Sequence, residues 1–199
     1  MAAQVLRNVG RLATNNCYFF LCDMQEKFQP IIRYFPEITT VAKKMVEAAN
    51  ILEIPVIATE QYPKGLGNTV KDIDISKAQV FEKTKFSMVI PEVEEILRAE
   101  SSRKSVVLFG IETQVCVQQT CLDLIERGFD VHVVADGCSS RSQVDRFFAF
   151  ERMRQCGAFV STSESVLFEL LGDSKHPKFK QVQPLVKTSA PDSGLLTKL

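Results

Sequence analysis

Short, continuously apolar runs recur along this chain, and segments with helical spacing separate them. Residues 18–22 (YFFLC), 54–59 (IPVIAT), 106–109 (VVLF), 130–135 (DVHVVA) and 158–161 (AFVS) read as strands, with 78–81 as a short additional one. Val41, Met45, Val46, Ala49 and Leu52 place one apolar face on a helix over 39–52. Pro91 and the acids after it open a helix over 91–100, because proline and negative charge both suit a first turn. Thr113 as N-cap and Gly128 as stop bound a helix over 114–127. Residues 140–155 form another, and Thr162 or Ser163 caps a last one running through Leu171.

Strands that are apolar on both faces and alternate with helices predict an α/β fold, a three-layer αβα sandwich around a parallel sheet of about six strands. The expected strand order is 3-2-1-4-5-6, the Rossmann-like arrangement. Ligands then bind beyond the carboxyl ends of strands one and four. No repeat or linker interrupts the pattern, so residues 1–199 read as a single domain with a core over about 17–171. From residue 173 onward Pro177, Pro184 and Pro191 indicate a tail that wraps the surface or is partly disordered.

Composition narrows the function classes. Lys plus Arg and Asp plus Glu number 24 each, so the net charge is zero. That removes the electrostatic case for a nucleic-acid or anionic-membrane partner, and it eases self-association. No apolar run reaches the length of a membrane span. The six cysteines include no pair at two-residue spacing, which reads as reduced thiols rather than a zinc or redox motif. The first 22 residues carry Arg7, Arg11 and no acid, a faint likeness to a mitochondrial presequence. They run straight into a strand, so the cytosol is the expected compartment.

The candidate chemistry gathers where the topology puts it. Cys116 falls in the first turn after a strand and a glycine, where unpaired N–H groups and the helix dipole favour a thiolate. Asp23 ends the first strand, 93 residues earlier, and the switch point brings it alongside; it is either the base for a thiol or a turn cap. Histidine does not fill that role, since His132 sits mid-strand and His176 precedes Pro177. A lysine beside the acid and thiol would stabilise developing negative charge, and FEKTKFSMV (81–89) offers Lys83 and Lys85.

Together CDMQEKF (22–28), KTKFSMV (83–89) and GIETQVCVQQTCLDLIERGFDVHVVADG (110–137) resemble the isochorismatase-like cysteine hydrolases over roughly residues 17–171. TEQYPKGLG (59–67) and SSRSQVDR (139–146) look closest to the eukaryotic isochorismatase domain-containing branch, and PDSGLL near the carboxyl end resembles one of its members. The resemblance implies a catalytic triad of Asp23, Lys83 and Cys116. Lys83 is selected because it stands three residues before the pair Phe86-Ser87. The resemblance also implies a non-proline cis peptide at Ile111–Glu112, with the amides of Glu112 and Cys116 facing the substrate oxyanion. Phe28, Tyr62 and Phe86 are candidate pocket walls, with Phe86 favoured by its link to the lysine motif.

The departures point to a branch. Metal-holding relatives carry an Asp-x-His pair and a second histidine after strand two, whereas this chain has Glu60, Gln61 and Tyr62 there. The expectation is a hydrolase with no metal and no cofactor, acting on a small amide or related acyl substrate through a thioester. The alternatives are a non-catalytic binding or scaffold member of the fold and a redox-sensing thiol. A homo-oligomer, a dimer or larger, is expected, with surplus apolar positions in RFFAFERM (146–153) as a contact surface.

Overall fold

A computed structural model describes residues 8–195. The chain runs β1 (Cys17–Cys22), α1 (Phe35–Leu52), β2 (Val56–Gln61), α2 (Pro63–Leu66), β3 (Gln79–Lys83), α3 (Pro91–Ala99), β4 (Ser105–Gly110), α4 (Gln118–Glu126), β5 (Asp130–Cys138), α5 (Gln143–Gln155), β6 (Phe159–Ser161), α6 (Ser163–Leu171) and α7 (Phe179–Val186). All strand pairs are parallel, and the sheet order is β3-β2-β1-β4-β5-β6, as the sequence pattern predicts. Every residue of β1 and β4 is buried, which is why those strands read as unbroken apolar runs.

The strands at the functional edge extend further than the apolar runs that mark them. β2 continues through Glu60 and Gln61, and β3 ends on Lys83, polar residues that an apolar run does not mark. β5 runs on to Cys138, beyond the expected end at residue 135, across an irregularity in its pairing with β4 that sets Cys138 opposite Gly110. α1 begins at Phe35 with Pro36 in its first turn, four residues before the expected start.

The carboxyl-terminal segment departs from the expected irregular wrap. Phe179, Val182, Leu185 and Val186 form the inner face of α7, which packs on α1 and α6. The prolines mask a two-turn helix whose apolar spacing is visible once they are set aside. Beyond it, Ser193 is tied down by the buried Arg146, whose guanidinium donates to the Ser193 carbonyl at 2.5 Å and to the Ala135 carbonyl at 3.2 Å. Of the presequence-like segment 1–22, residues 1–7 lie outside the described residues; no described helix is long and apolar enough to cross a membrane.

Candidate active site

β1 and β4 end side by side, with Cys22 in register with Gly110. A side chain at Gly110 would put its Cβ 2.1 Å from the Cys22 carbonyl oxygen, and Gly110 has φ +125°, so only glycine fits where the two strands close. The Cys22 carbonyl accepts from the Ile111 amide at 2.9 Å, and the Ile111–Glu112 peptide is cis. Asp23 then leaves β1 with φ 50°, a left-handed conformation that turns its carboxylate to the end of the sheet.

The approach to Cys116 differs from the expected capped α-helix. Residues Thr113–Val117 form a single π-turn before α4, with the Val117 amide reaching back to the Glu112 carbonyl at 3.2 Å. Thr113 does not cap it. Its amide and hydroxyl both donate to the Ser139 carbonyl, at 3.0 and 2.9 Å, which leaves the hydroxyl unable to serve the helix. Cys116 is therefore the fourth residue of the turn, one later than expected.

Three elements converge on the Asp23 carboxylate. One oxygen accepts from the Lys83 ammonium at 2.7 Å, and the other from the Thr59 hydroxyl at 2.8 Å. Neither side chain of the ion pair is more than 1% exposed. The Lys83 ammonium is further held by the Gln61 side-chain oxygen at 2.7 Å and the Phe86 carbonyl at 2.9 Å, so its charge is fully solvated by protein. Lys85 instead points to the surface and pairs with Asp123 at 2.8 Å.

The sulfurs of Cys22 and Cys116 and a carboxylate oxygen of Asp23 all lie within 4.8 Å of one another. Burial pushes the Asp23 carboxyl above the ordinary carboxylate range, with Lys83 and the hydrogen bonds from Thr59 and Cys116 pulling the other way. The Lys83 ammonium is raised above its ordinary value despite burial, because Cys22, Asp23 and Cys116 surround it with negative or potentially negative groups.

A cavity of about 360 Å³ opens over this cluster. Asp23 and Cys116 lie at its base, and Phe28, Tyr62, Phe86, Ile111, Val115 and Leu66 form apolar walls. All three aromatic candidates thus line it, Tyr62 and Phe86 from half-exposed positions. Sequence reasoning missed Thr59, Gln61 and Arg141. Thr59 is in register with Cys22 across β1 and β2, so its place beside Asp23 follows from strand pairing. Arg141 also lines the cavity and pairs with the Glu112 carboxylate at 3.2 Å.

The donors at the end of β2 do not suit a metal. Both Glu60 carboxylate oxygens are occupied, by Asn68 at 2.9 Å and by the Thr69 amide and hydroxyl at 2.7 and 2.9 Å. Gln61 serves Lys83, and no histidine is near. Of the Cys22, Asp23 and Cys116 set, the Asp23 carboxylate already holds a cation, the Lys83 ammonium.

A parallel sheet ending in a buried acid, a lysine and a thiol under a small cavity defines a hydrolase-type fold. The chain belongs to the isochorismatase domain family, which matches residues 17–165. It is similar to isochorismatase domain-containing protein 2 of Xenopus laevis, 58% identical over 192 residues, or 96% of this chain and 94% of that protein. Isochorismatase domain-containing protein 1 of Salmo salar is 56% identical, covering 96% of this chain and 68% of that protein. A solved structure described as MAR1 ribonuclease from Caenorhabditis elegans is 53% identical with a TM-score of 0.90, covering 95% of this chain and 100% of that one.

Proposed function

We propose that this chain is a metal-independent cysteine hydrolase acting on a small amide or related acyl substrate, with Asp23, Lys83 and Cys116 as its catalytic residues. The observation that carries this reading is the thiol of Cys116, at the base of an open cavity, beside a buried and otherwise saturated Asp23–Lys83 ion pair. Asp23 takes the thiol proton, and its raised proton affinity suits that exchange nearer neutrality than an ordinary aspartate would. The thiolate attacks the acyl carbon, and the tetrahedral oxyanion faces the amides of Glu112 and Cys116. Asp23 returns the proton to the leaving group, a thioester remains on Cys116, and Asp23 then deprotonates the water that releases the acid. Lys83 keeps the site at a single net negative charge when acid and thiol are both ionised.

The cavity limits the substrate. About 360 Å³ with apolar walls accommodates a small acyl group with a short apolar substituent. The Caenorhabditis elegans relative is described as a ribonuclease, so RNA belongs in the test. The chain's zero net charge gives RNA no electrostatic attraction, which favours the small-molecule reading.

The test is a panel of small amides and acyl compounds, together with short RNAs, read by intact mass and by product release. The expected result is a covalent acyl adduct on Cys116 that turns over, and its loss in Cys116→Ser with the fold intact. RNA cleavage that survives Cys116→Ser would overturn the proposal. So would the absence of any adduct with a protein whose Cys116 alkylates normally, which would favour a binding or scaffold role.

A further inference from the structure

The hydrolytic scheme uses one thiol, yet the site contains two. Cys22 is completely buried at the end of β1, with its sulfur within 4.8 Å of the Cys116 sulfur. Its sulfur is also 3.6 Å from Asp23 Oδ2. Nothing in acyl transfer needs a thiol there.

We propose that Cys22 is a resolving thiol: a hydroperoxide entering the cavity oxidises Cys116, and Cys22 then closes an intramolecular disulfide that reversibly protects the site. Access is asymmetric in the way this requires. Cys116 lines the cavity, whereas Cys22 is fully buried and is not among the residues that line it. The Cys116 thiolate attacks one peroxide oxygen; the S–O bond forms, the O–O bond breaks, and the departing hydroxide or alkoxide takes a proton. Cys116 is then a sulfenic acid, oxidised by two electrons, and the peroxide is reduced. The Cys22 sulfur attacks the Cys116 sulfur as its proton passes to Asp23; the S–S bond forms, the S–O bond breaks, and the hydroxide takes that proton to leave as water. Two thiols and one peroxide thus yield a disulfide and two molecules of water, or one of water and an alcohol. Burial, Cys116 and Asp23 hold the Cys22 thiol well above its ordinary value, so Cys22 stays protonated and does not meet peroxide first. Cys17, Cys121 and Cys138 are pushed up to about 12 by burial and do not compete.

The experiment treats the full chain with limiting hydrogen peroxide, blocks free thiols, and maps peptides by mass before and after reduction with dithiothreitol. The expected product is a loss of about 2 Da, located to a linked Cys22–Cys116 peptide pair and reversed by the reductant. In Cys22→Ser, with peroxide raised above about two equivalents so that a second molecule can oxidise the sulfenic acid, Cys116 should instead gain about 32 Da irreversibly as sulfinic acid, with the reducible fraction falling roughly tenfold. Cys22→Ala repeats the measurement should serine perturb the buried strand end. In Cys116→Ser, Cys22 should stay unoxidised. Wild-type protein that accumulates sulfinic acid on Cys116 while Cys22 remains a free thiol would overturn the proposal, as would a Cys116 disulfide to any other cysteine. None of these readouts depends on a substrate being found.

Discussion

Lys83 and Lys85 stand two residues apart and end on different acids, Lys83 on Asp23 at 2.7 Å beneath the cavity and Lys85 on Asp123 at 2.8 Å on the surface. A buried pair that loses one partner leaves an uncompensated charge, which costs about 3–5 kcal/mol, whereas an exposed pair contributes about 0–1 kcal/mol. Lys83→Ala should therefore both lower stability and slow alkylation of Cys116 at neutral pH by roughly tenfold or more. Lys85→Ala should do neither. Denaturant melts and iodoacetamide kinetics on the folded protein check both, and sensitivity at Lys85 alone would remove Lys83 from the mechanism.

The acid limb of reactivity should belong to Asp23. Its carboxyl is raised by burial, so the base is lost at a higher pH than an ordinary aspartate would allow. Thr59 donates to the ionised carboxylate and helps keep it ionised. Thr59→Val should then move the acid limb of Cys116 alkylation further up in pH without changing the plateau rate. A limb that stays in place would mean that another group sets it.

Stoichiometric divalent metal should be absent, and chelators should leave activity unchanged. Any ion entering the Cys22, Asp23 and Cys116 set would have to displace an ammonium held by Asp23, Gln61 and Phe86. Elemental analysis finding about one zinc or manganese per chain would refute this.

Much of the site was legible in the sequence because strand topology is. Asp23 and Cys116 are brought together by β1 and β4 being neighbours, and runs such as VVLF read as buried parallel strands because helical segments alternate with them. The polar partners were less legible. Thr59 and Gln61 end a strand whose apolar part stops earlier, and their roles depend on which side chains face them. The π-turn was hidden because Thr113 looks like a cap until Ser139, distant in sequence, takes both of its donors. α7 was hidden by prolines that break local propensity while tertiary packing still orders its apolar face.

A homo-oligomer is expected through α5. Phe147 and Phe148 are 59% and 64% exposed and contact each other edge to face at 5.3 Å, with Val144 65% exposed on the same helix. Phe150, one turn on, is buried, so only part of the phenylalanine cluster serves the core. An exposed apolar group of this kind marks a contact surface more readily than a solvated helix face. Light scattering should give a multiple of the 22.3 kDa chain mass, and Phe147→Ser with Phe148→Ser should reduce it to the monomer. A wild-type monomer at micromolar concentration would end the idea.

His132 should make the fold sensitive to mild acid. It lies in β5, buried, stacked on Phe159 with ring centroids 5.0 Å apart, and its Nε2 has no partner among the described residues. Burial lowers its proton affinity below the ordinary value of 6.5, against weaker opposing pulls from Glu169 and Asp130. The unfolded chain accepts a proton near the ordinary value, and the folded chain accepts it only at lower pH. Between those two points the unfolded state binds more protons, so stability falls as pH falls through the window below 6.5. The denaturation midpoint of the wild type should drop between about pH 7.5 and about pH 5.5, and His132→Gln should flatten that drop whatever it does to stability at the upper pH. The raised Asp23 carboxyl works in the opposite sense, since its folded form holds a proton more tightly than the unfolded chain does. An unchanged pH slope in His132→Gln would therefore assign the acid sensitivity to groups other than this histidine.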